Sequence, residues 1–224
     1  MSTTTLAPQL QGESLGAAIQ QQVAVIVDDL IAQLPNPAQL TPQQARDIIA
    51  RSTAVLEGNF IYWMTATCLA AKAAEVRPIL EENLFEEVRD VHPVMLRRFA
   101  IAAHAFPTDT DALSIDTDLN NVRLFLGKLQ GVQSVLTMAF FECWIQRFMG
   151  YLGDLAKAQG STELEYTDVH GVCDVHHTAE LFRALSLEMA INPVSPETDL
   201  FEGVDLLRTL ILKIIQGPGE SAAA

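Results

Sequence analysis

Apolar residues recur at intervals of three and four along nearly the whole chain, and this periodicity narrows the accessible folds more than any other feature. The spacing is that of one face of an α-helix, as in LGAAIQQQVAVIVDDLIAQL at 15–34 and LFEGVDLLRTLILKIIQ at 200–216. Alternation of apolar and polar residues, which is typical of half-buried strands, does not extend over a useful length. With 49% apolar residues, the chain can bury a full core. The sequence therefore predicts an all-α, single-domain bundle of about seven helices.

Prolines, glycines and capping residues divide the helical pattern. The sequence PNP at 35–37 ends the first helix. Thr41 is suited to cap the second helix and Pro42 to begin it, because proline is tolerated at the first helical position. Gly58 is expected to bend this second helix, which is otherwise too long to be an ordinary one.

The polar segment PTDTDALSIDTD at 107–118 predicts a loop or a short capped turn. A helical pattern follows from 119 to about 160. The helical domain is predicted to span residues 16–216, between disordered tails at 1–15 and 217–224.

The charge and cysteine content exclude several classes of function. The net charge of -14 would repel both nucleic acid and anionic membranes. No cationic stretch precedes an apolar run at the start of the chain, and no uninterrupted apolar segment reaches membrane-spanning length. Cys68, Cys143 and Cys173 form no CxxC pair, so a disulfide framework is not expected. These features predict a cytoplasmic protein that binds neither nucleic acid nor membranes.

Three of the five histidines lie within the segment HGVCDVHHTAEL at 170–181. Successive residues of an α-helix are about 100° apart, so His170, Asp174 and His177 point within a fan of about 60°, whereas His176 lies on another side. Neutral imidazoles and a carboxylate are ligands of iron, manganese and zinc. The spacing favours a metal site supplied by one helix, with an exposed polar helix face as the alternative.

Glu142 is a second candidate ligand because it lies in the apolar setting MAFFECWIQRF. An ionised carboxylate in a core is costly unless it is paired or coordinates a cation. Arg147 is five positions further on, about 140° around the helix, which makes an ion pair within the helix awkward. Glu142 is therefore predicted to bind a metal, and a partly exposed position at the margin of an amphipathic face is the alternative.

The segment ENLFEEVRDVHPVML supplies a third pair of donors, Glu87 and His92. Pro93 disfavours helical geometry at His92, so one helix is predicted to end after Glu87 and another to begin near His92. On one continuous helix these two residues would be about 140° apart, whereas a break lets them share a metal. Glu81, Glu82 and Glu86 are predicted to be solvated, and His104 is predicted to lie in the core or next to the metal ligands without binding the metal.

These candidates together supply three carboxylates and three imidazoles: Glu87, His92, Glu142, His170, Asp174 and His177. Three negative charges facing two divalent cations leave open positions for oxygen and substrate. The set therefore favours a dinuclear centre over a single zinc ion. No catalytic residue beyond the metal ligands is predicted.

The order of these motifs resembles that of the haem-oxygenase-like diiron oxidases and oxygenases, over about residues 45–215. The family pattern has an Asn-Leu-x-x-Glu stretch followed by His, then an isolated Glu on a central helix, then His, Asp and His at i, i+4 and i+7. This chain has ENLFEE followed by HP, then FFECW, then HGVCDVHH. By this likeness Asn83, Leu84 and Glu87 match the first stretch, with Glu87 as the ligand in preference to Glu86. The connection VRDV is shorter than in family members and lacks their glycine.

The resemblance implies a haem-oxygenase-like bundle that holds two Fe(II) ions, with manganese as an alternative metal, and uses O2 as a co-substrate. The implied activity is oxidation of a small amino-acid-derived or carboxylate substrate, by N-oxygenation or by oxidative C–C or C–N cleavage. An external electron donor and a labile metal site that substrate completes are further implications. Dimers are common among such bundles, so a homodimer is one expected assembly.

The substrate pocket itself is only outlined by the sequence. Aromatic candidates for its wall are Phe60, Tyr62, Trp63, Phe141 and Trp144, and redox-active candidates are Tyr62, Tyr151 and Tyr166. Basic candidates for pairing with a substrate carboxylate are Arg51, Arg123, Lys128 and Arg183.

Two other functions remain open at this point. A ferritin-like protein handling iron or peroxide would need a Glu-x-x-His spacing, and the chain contains none. The other alternative is a non-catalytic helical interaction protein with the same fold.

Overall fold

The computed structural model describes residues 12–217, with the side chains of 12–14 and 172–174 excepted. Nine helices and no strand form over this range. The α-helices are α1 (Gly12–Ala32), α2 (Pro42–Ala70), α3 (Val76–Arg89), α4 (His92–Ala102), α5 (Asp109–Leu126), α6 (Gly131–Ala158), α7 (Glu165–Ile191) and α8 (Glu202–Gln216), and a short 3₁₀ helix covers Pro37–Gln39. The all-α prediction is confirmed, but the helix count of about seven is wrong.

The two additional helices are the 3₁₀ helix and the one gained where the predicted helix 119–160 is divided. The predicted loop 107–118 is also wrong, because most of it is helical. Thr108 caps α5 by a capping box: its side chain accepts a hydrogen bond from the Asp111 N–H, and the Asp111 side chain accepts one from the Thr108 N–H. The predicted helix from 119 to 160 is interrupted between α5 and α6, where Leu129 has φ 54°. A local capping motif therefore outweighed the polar composition of this segment.

The N-terminal boundary also differs in detail from the predicted domain limits. α1 begins at Gly12, so residues 12–15, assigned to the tail by their composition, are helical. The remaining predicted tail residues, 1–11 and 218–224, lie outside the described range.

α1 is apolar enough to pass a length-and-composition test for a membrane span, over Leu15–Gln39 with mean hydropathy 1.3. Core helices of soluble proteins and signal sequences share such properties. Here the side chains of Ile19, Val23, Val27 and Leu30 are at most 1% exposed, and α1 packs against α6 and α7.

α2 begins as predicted and is broken in the middle. Thr41 caps it in a capping box with Gln44, and Pro42 occupies its first turn. Gly58 adopts φ 83°, a left-handed conformation that favours glycine, and interrupts the helix there. The Asn59 side chain donates to the Val55 carbonyl at 2.8 Å and accepts from Arg123 Nε at 2.8 Å, so it bonds across the break and to α5.

α6 is the central helix of the bundle. It packs most extensively against α7 and also contacts α1, α2 and α8. Its side chains are buried on every side from Val132 to Glu142, whereas one face is exposed in the remainder of the helix. Glu142 on this helix is only 3% exposed, so the fold places a carboxylate within the core.

A second buried carboxylate, Glu188 on α7, fixes the chain after α2. It is 0% exposed and accepts hydrogen bonds from the backbone N–H groups of Lys72 and Ala73 at 2.9–3.0 Å. These bonds satisfy the charge of a carboxylate that would otherwise be costly to bury. Gly131, the first residue of α6, allows this approach: a Cβ there would collide with the Glu188 carboxylate and lie 2.9 Å from the Ala70 carbonyl oxygen.

We therefore expect Gly131→Ala to lower the free energy of unfolding by about 1–3 kcal/mol, because the added methyl group displaces the Glu188 carboxylate or the α2 terminus. Gly150→Ala is the matched control on the same helix, since its Cβ would meet nothing within 4 Å. It should instead raise stability by roughly 0.5–1 kcal/mol through helix propensity. Urea unfolding followed by circular dichroism measures both, and equal effects would contradict the proposed packing.

Candidate metal centre

Three buried side chains from three helices converge at one point of the bundle. Glu87 at the end of α3, His92 at the start of α4 and His170 on α7 each offer one ligand atom, and these atoms lie within 4.8 Å of one another. The three residues are 8%, 4% and 5% exposed. A carboxylate and two imidazoles in this arrangement could hold a metal ion.

The break between α3 and α4 creates this convergence. Val91 adopts the left-handed conformation, with φ 52° and ψ 41°, and α4 starts at the next residue with Pro93 in its first turn. The reversal brings His92 Nδ1 to 2.8 Å from Glu87 Oε1. The sequence prediction of a helix break between these residues is confirmed.

The backbone of α7 orients the third member of the cluster. His170 Nδ1 lies 2.8 Å from the Tyr166 carbonyl oxygen, which can only accept, so Nδ1 carries a hydrogen. The other nitrogen, Nε2, faces Glu87 Oε1 at 3.4 Å. Donation of the second ring N–H to a backbone carbonyl is the usual arrangement of a metal-binding histidine. Nε2 is therefore the atom that a metal would bind.

Electrostatics at Glu87 favour a permanently ionised carboxylate. Burial by itself would raise its pKa, but hydrogen bonds from His170 and His92 and the charges of these rings outweigh burial and lower the pKa to about 2. A metal ion entering the cluster would thus find this ligand already deprotonated at neutral pH.

The cluster opens on a cavity connected to solvent, with about 410 Å³ of empty space when the solvent at its mouth is included. Five of its lining residues carry polar groups: Glu87, His92, Glu142, Tyr166 and His170. The others are apolar and come from α2, α4 and α6: Leu56, Phe60, Ile61, Pro93, Leu96, Phe141 and Ile145. Glu142 therefore faces the same space as the cluster, and its Oε1 accepts a hydrogen bond from Asn83 Nδ2 at 2.9 Å. Arg147, which is poorly placed for Glu142 on the helix, pairs with Asp28 on α1.

His177, another predicted ligand, contacts a different carboxylate of α3. His177 Nε2 is 2.8 Å from Glu86 Oε2, so the adjacent Glu86 and Glu87 contact different histidines of α7. His177 also lines a second, smaller cavity together with Asn83 and His176. The side chain of Asp174 lies outside the described residues.

Only some of the aromatic candidates line the larger cavity. Phe60 and Phe141 line the larger cavity, with ring centroids 5.8 Å apart. Trp63 and Trp144 are core residues, whereas Tyr62 is 47% exposed. Among the tyrosines, Tyr166 lines the cavity, and its ring centroid is 4.2 Å from that of His170.

The basic candidates do not contribute to the cavity wall that the structure describes. Each contacts another partner: Arg51 the Ile214 carbonyl, Arg123 the Asn59 side chain, Lys128 Glu202 and Arg183 Glu180. His104, predicted to be buried, is exposed, and it follows the end of α4 with φ 53°.

Two contacts of this region were not anticipated from the sequence, namely Asn83 with Glu142 and Glu86 with His177. A usable signal was present for Asn83. The buried positions of α3 are Val76, Ile79, Leu80, Asn83 and Glu87, a helical stripe in which two polar residues replace apolar ones. Polar residues at core positions of such a stripe indicate a site, because each must find a partner.

The sequence was also compared with known protein families and curated proteins. No family model and no curated protein matches the chain.

The lowered pKa of Glu87 predicts a pH dependence of stability in the metal-free protein. In the unfolded chain the carboxyl group returns to its ordinary value of 4.5, against about 2 when folded. The carboxylate therefore stabilises the fold above pH 4.5, and this contribution, on the order of 3 kcal/mol, is lost as pH falls towards 2. We expect the stability difference between wild type and Glu87→Gln to shrink across this window.

Urea unfolding at a series of pH values, with a chelator present, measures this difference. Glu82→Gln, at an exposed position of the same helix, is the control and should remain close to wild type throughout. A constant difference for Glu87→Gln between pH 5 and the acid limit would contradict the assigned charge.

Proposed function

We propose that the protein is an O2-dependent non-haem diiron oxidase or oxygenase that oxidises a small molecule in the larger cavity. The observation that carries the proposal is the buried Glu87, His92 and His170 cluster, which lines one cavity together with Glu142. The order of the sequence motifs supports the same function.

The donor set fits the proposed metals. Carboxylate oxygens and imidazole nitrogens suit iron and manganese, and no cysteine is among the members of the cluster. In this proposal Glu87, His92 and His170 hold the first ion. Glu142 and His177, with Asp174 by resemblance, hold the second.

The chemistry that two ferrous ions would supply when bound is the binding and reduction of O2 next to the substrate. The contribution of the chain is to prepare the ligands and the cavity. The Tyr166 carbonyl keeps His170 Nδ1 protonated and so leaves Nε2 for the metal. The apolar wall formed by residues such as Phe60 and Phe141 limits the access of water to the oxidising centre.

The lining also restricts the substrate. The carboxylates and imidazoles of the wall come from α3, α4, α6 and α7, whereas the residues from α2 are apolar, and no lysine or arginine lies among the lining residues described. We infer a substrate with one polar end, which reaches the metal ligands, and an apolar body. A charge at the other end would be buried without a partner, which is costly.

A matched pair of ligands tests this restriction. Octanoate should raise the melting temperature of the metal-loaded protein, because its carboxylate can reach the metals and its chain can pack against the apolar wall. We expect 8-aminooctanoate to bind at least about tenfold more weakly, since its ammonium group would be desolvated there. Equal affinities, measured by calorimetry, would contradict the proposed substrate class.

Metal binding provides the direct test of the centre. Anaerobic titration of the metal-free protein with Fe(II) should give two ions per chain. We expect Glu87→Gln and His170→Ala to lose the first ion and Glu142→Gln to lose the second, because each removes one ligand of a buried site. His104→Ala, at an exposed position that lines neither cavity, is the control that should leave both ions in place.

Rapid mixing of the Fe(II)-loaded protein with O2, with optical and Mössbauer detection, then tests the oxidase activity. Oxidation of two irons per chain in a fast phase, abolished in Glu142→Gln, is the expected result. The titration is repeated with octanoate present, because substrate can complete a labile site. A protein that binds no iron and consumes no O2 under both conditions would instead favour the interaction-protein alternative.

A further inference from the structure

Asn83 occupies a core position that an apolar residue could fill. It lies one turn before Glu87 on α3 and is 3% exposed. The stripe to which it belongs is otherwise apolar as far as Glu87. An amide at such a position lowers stability unless its polar atoms are bonded, which indicates that the side chain has a role beyond packing.

The hydrogen bond to Glu142 fixes the orientation of this amide. Asn83 Nδ2 donates a hydrogen bond to Glu142 Oε1 at 2.9 Å, so the amide nitrogen faces this carboxyl group. Asn83 Oδ1 is left buried without a hydrogen-bond partner among the described residues. Buried polar atoms of this kind are rare and commonly mark the position of a water molecule or an ion.

The position of Asn83 relates the two halves of the proposed centre. Its partner Glu142 lines the larger cavity with Glu87 and His170. Asn83 itself lines the smaller cavity with His177. The amide therefore contacts the carboxylate and shares a cavity with the histidine, both of which the proposed function assigns to the second metal ion.

We propose that Asn83 is a positioning residue for the second metal ion. Its N–H group holds Glu142 in the orientation that binds the ion, and its Oδ1 accepts a hydrogen bond from a water molecule on that ion. The first ion depends on Glu87, His92 and His170 and does not need this amide. This inference rests on the proposed dinuclear function.

Equilibrium dialysis of the full chain with Mn²⁺, combined with electron paramagnetic resonance, tests the role of Asn83. Wild type should bind two ions and give the spectrum of a coupled pair. Asn83→Leu, which keeps the size but not the polar atoms, should retain the first ion and bind the second 10–100-fold more weakly, the usual effect of removing an outer-sphere partner. Its spectrum should be that of an isolated ion.

Asn59→Leu is the matched control. Asn59 is also a buried asparagine with a hydrogen-bonded amide, 5% exposed, but it lies on α2 and lines neither cavity. This variant should lose stability and still bind two ions. Asn83→Ala serves in place of the leucine variant if the latter does not fold, as judged by circular dichroism.

The outcomes separate the inference from the function on which it rests. A wild type that binds fewer than two ions, with or without octanoate, overturns the dinuclear centre and the role of Asn83 with it. Two ions of unchanged affinity in folded Asn83→Leu overturn the role of Asn83 alone. Equal weakening of both ions also overturns it, because that result would reflect a general disturbance of α3.

Discussion

The buried negative charge of Glu87 is the constraint on which this region of the bundle depends. A carboxylate out of contact with water must be compensated, and the compensation here comes from His92 and His170 on two other helices. The α3–α4 break and the packing of α7 against α3 must therefore both be in place before the charge is stabilised. A metal ion would compensate the same charge more strongly, so ligand binding and correct packing favour the same arrangement of helices.

The adjacent residues Glu86 and Glu87 also specify how α3 and α7 align. They point about 100° apart on α3, and each contacts one of two histidines that lie two turns apart on α7, His177 and His170 respectively. A shift of α7 along α3 by one turn would separate both pairs at once. Charge pairing thus defines a register that apolar packing alone would define less sharply.

The parts of the fold and site that could be predicted from the sequence are those set by local rules. Helical periodicity identified the all-α class, and Pro93 located the break that brings His92 to Glu87. Local composition was misleading at 107–118, where the Thr108 capping box begins a helix within a polar segment. The failure had a physical cause, because a capped amphipathic helix needs only a few buried residues and Ile115 and Leu119 provide them.

Contacts between helices were harder to predict from the sequence, because residue spacing within one helix does not determine which residues of another helix it contacts. The fan formed by His170 and His177 on α7 suggested one shared site, whereas they contact different carboxylates of α3. The absence of basic residues from the described cavity wall was likewise invisible in the sequence, since Arg51 and Arg123 are engaged by partners far along the chain.

Because α7 is anchored near its C-terminal end at Glu188, a small tilt of this helix moves the residues far from that end the most. Glu188 is tied to the backbone at Lys72 and Ala73, and His177 lies 11 residues away, about 16 Å along the axis, with His170 about 27 Å away. A tilt of α7 by only about 4° around Glu188 would move His177 by roughly 1 Å and His170 by nearly 2 Å. The same tilt of α7 therefore displaces His170 farther than His177.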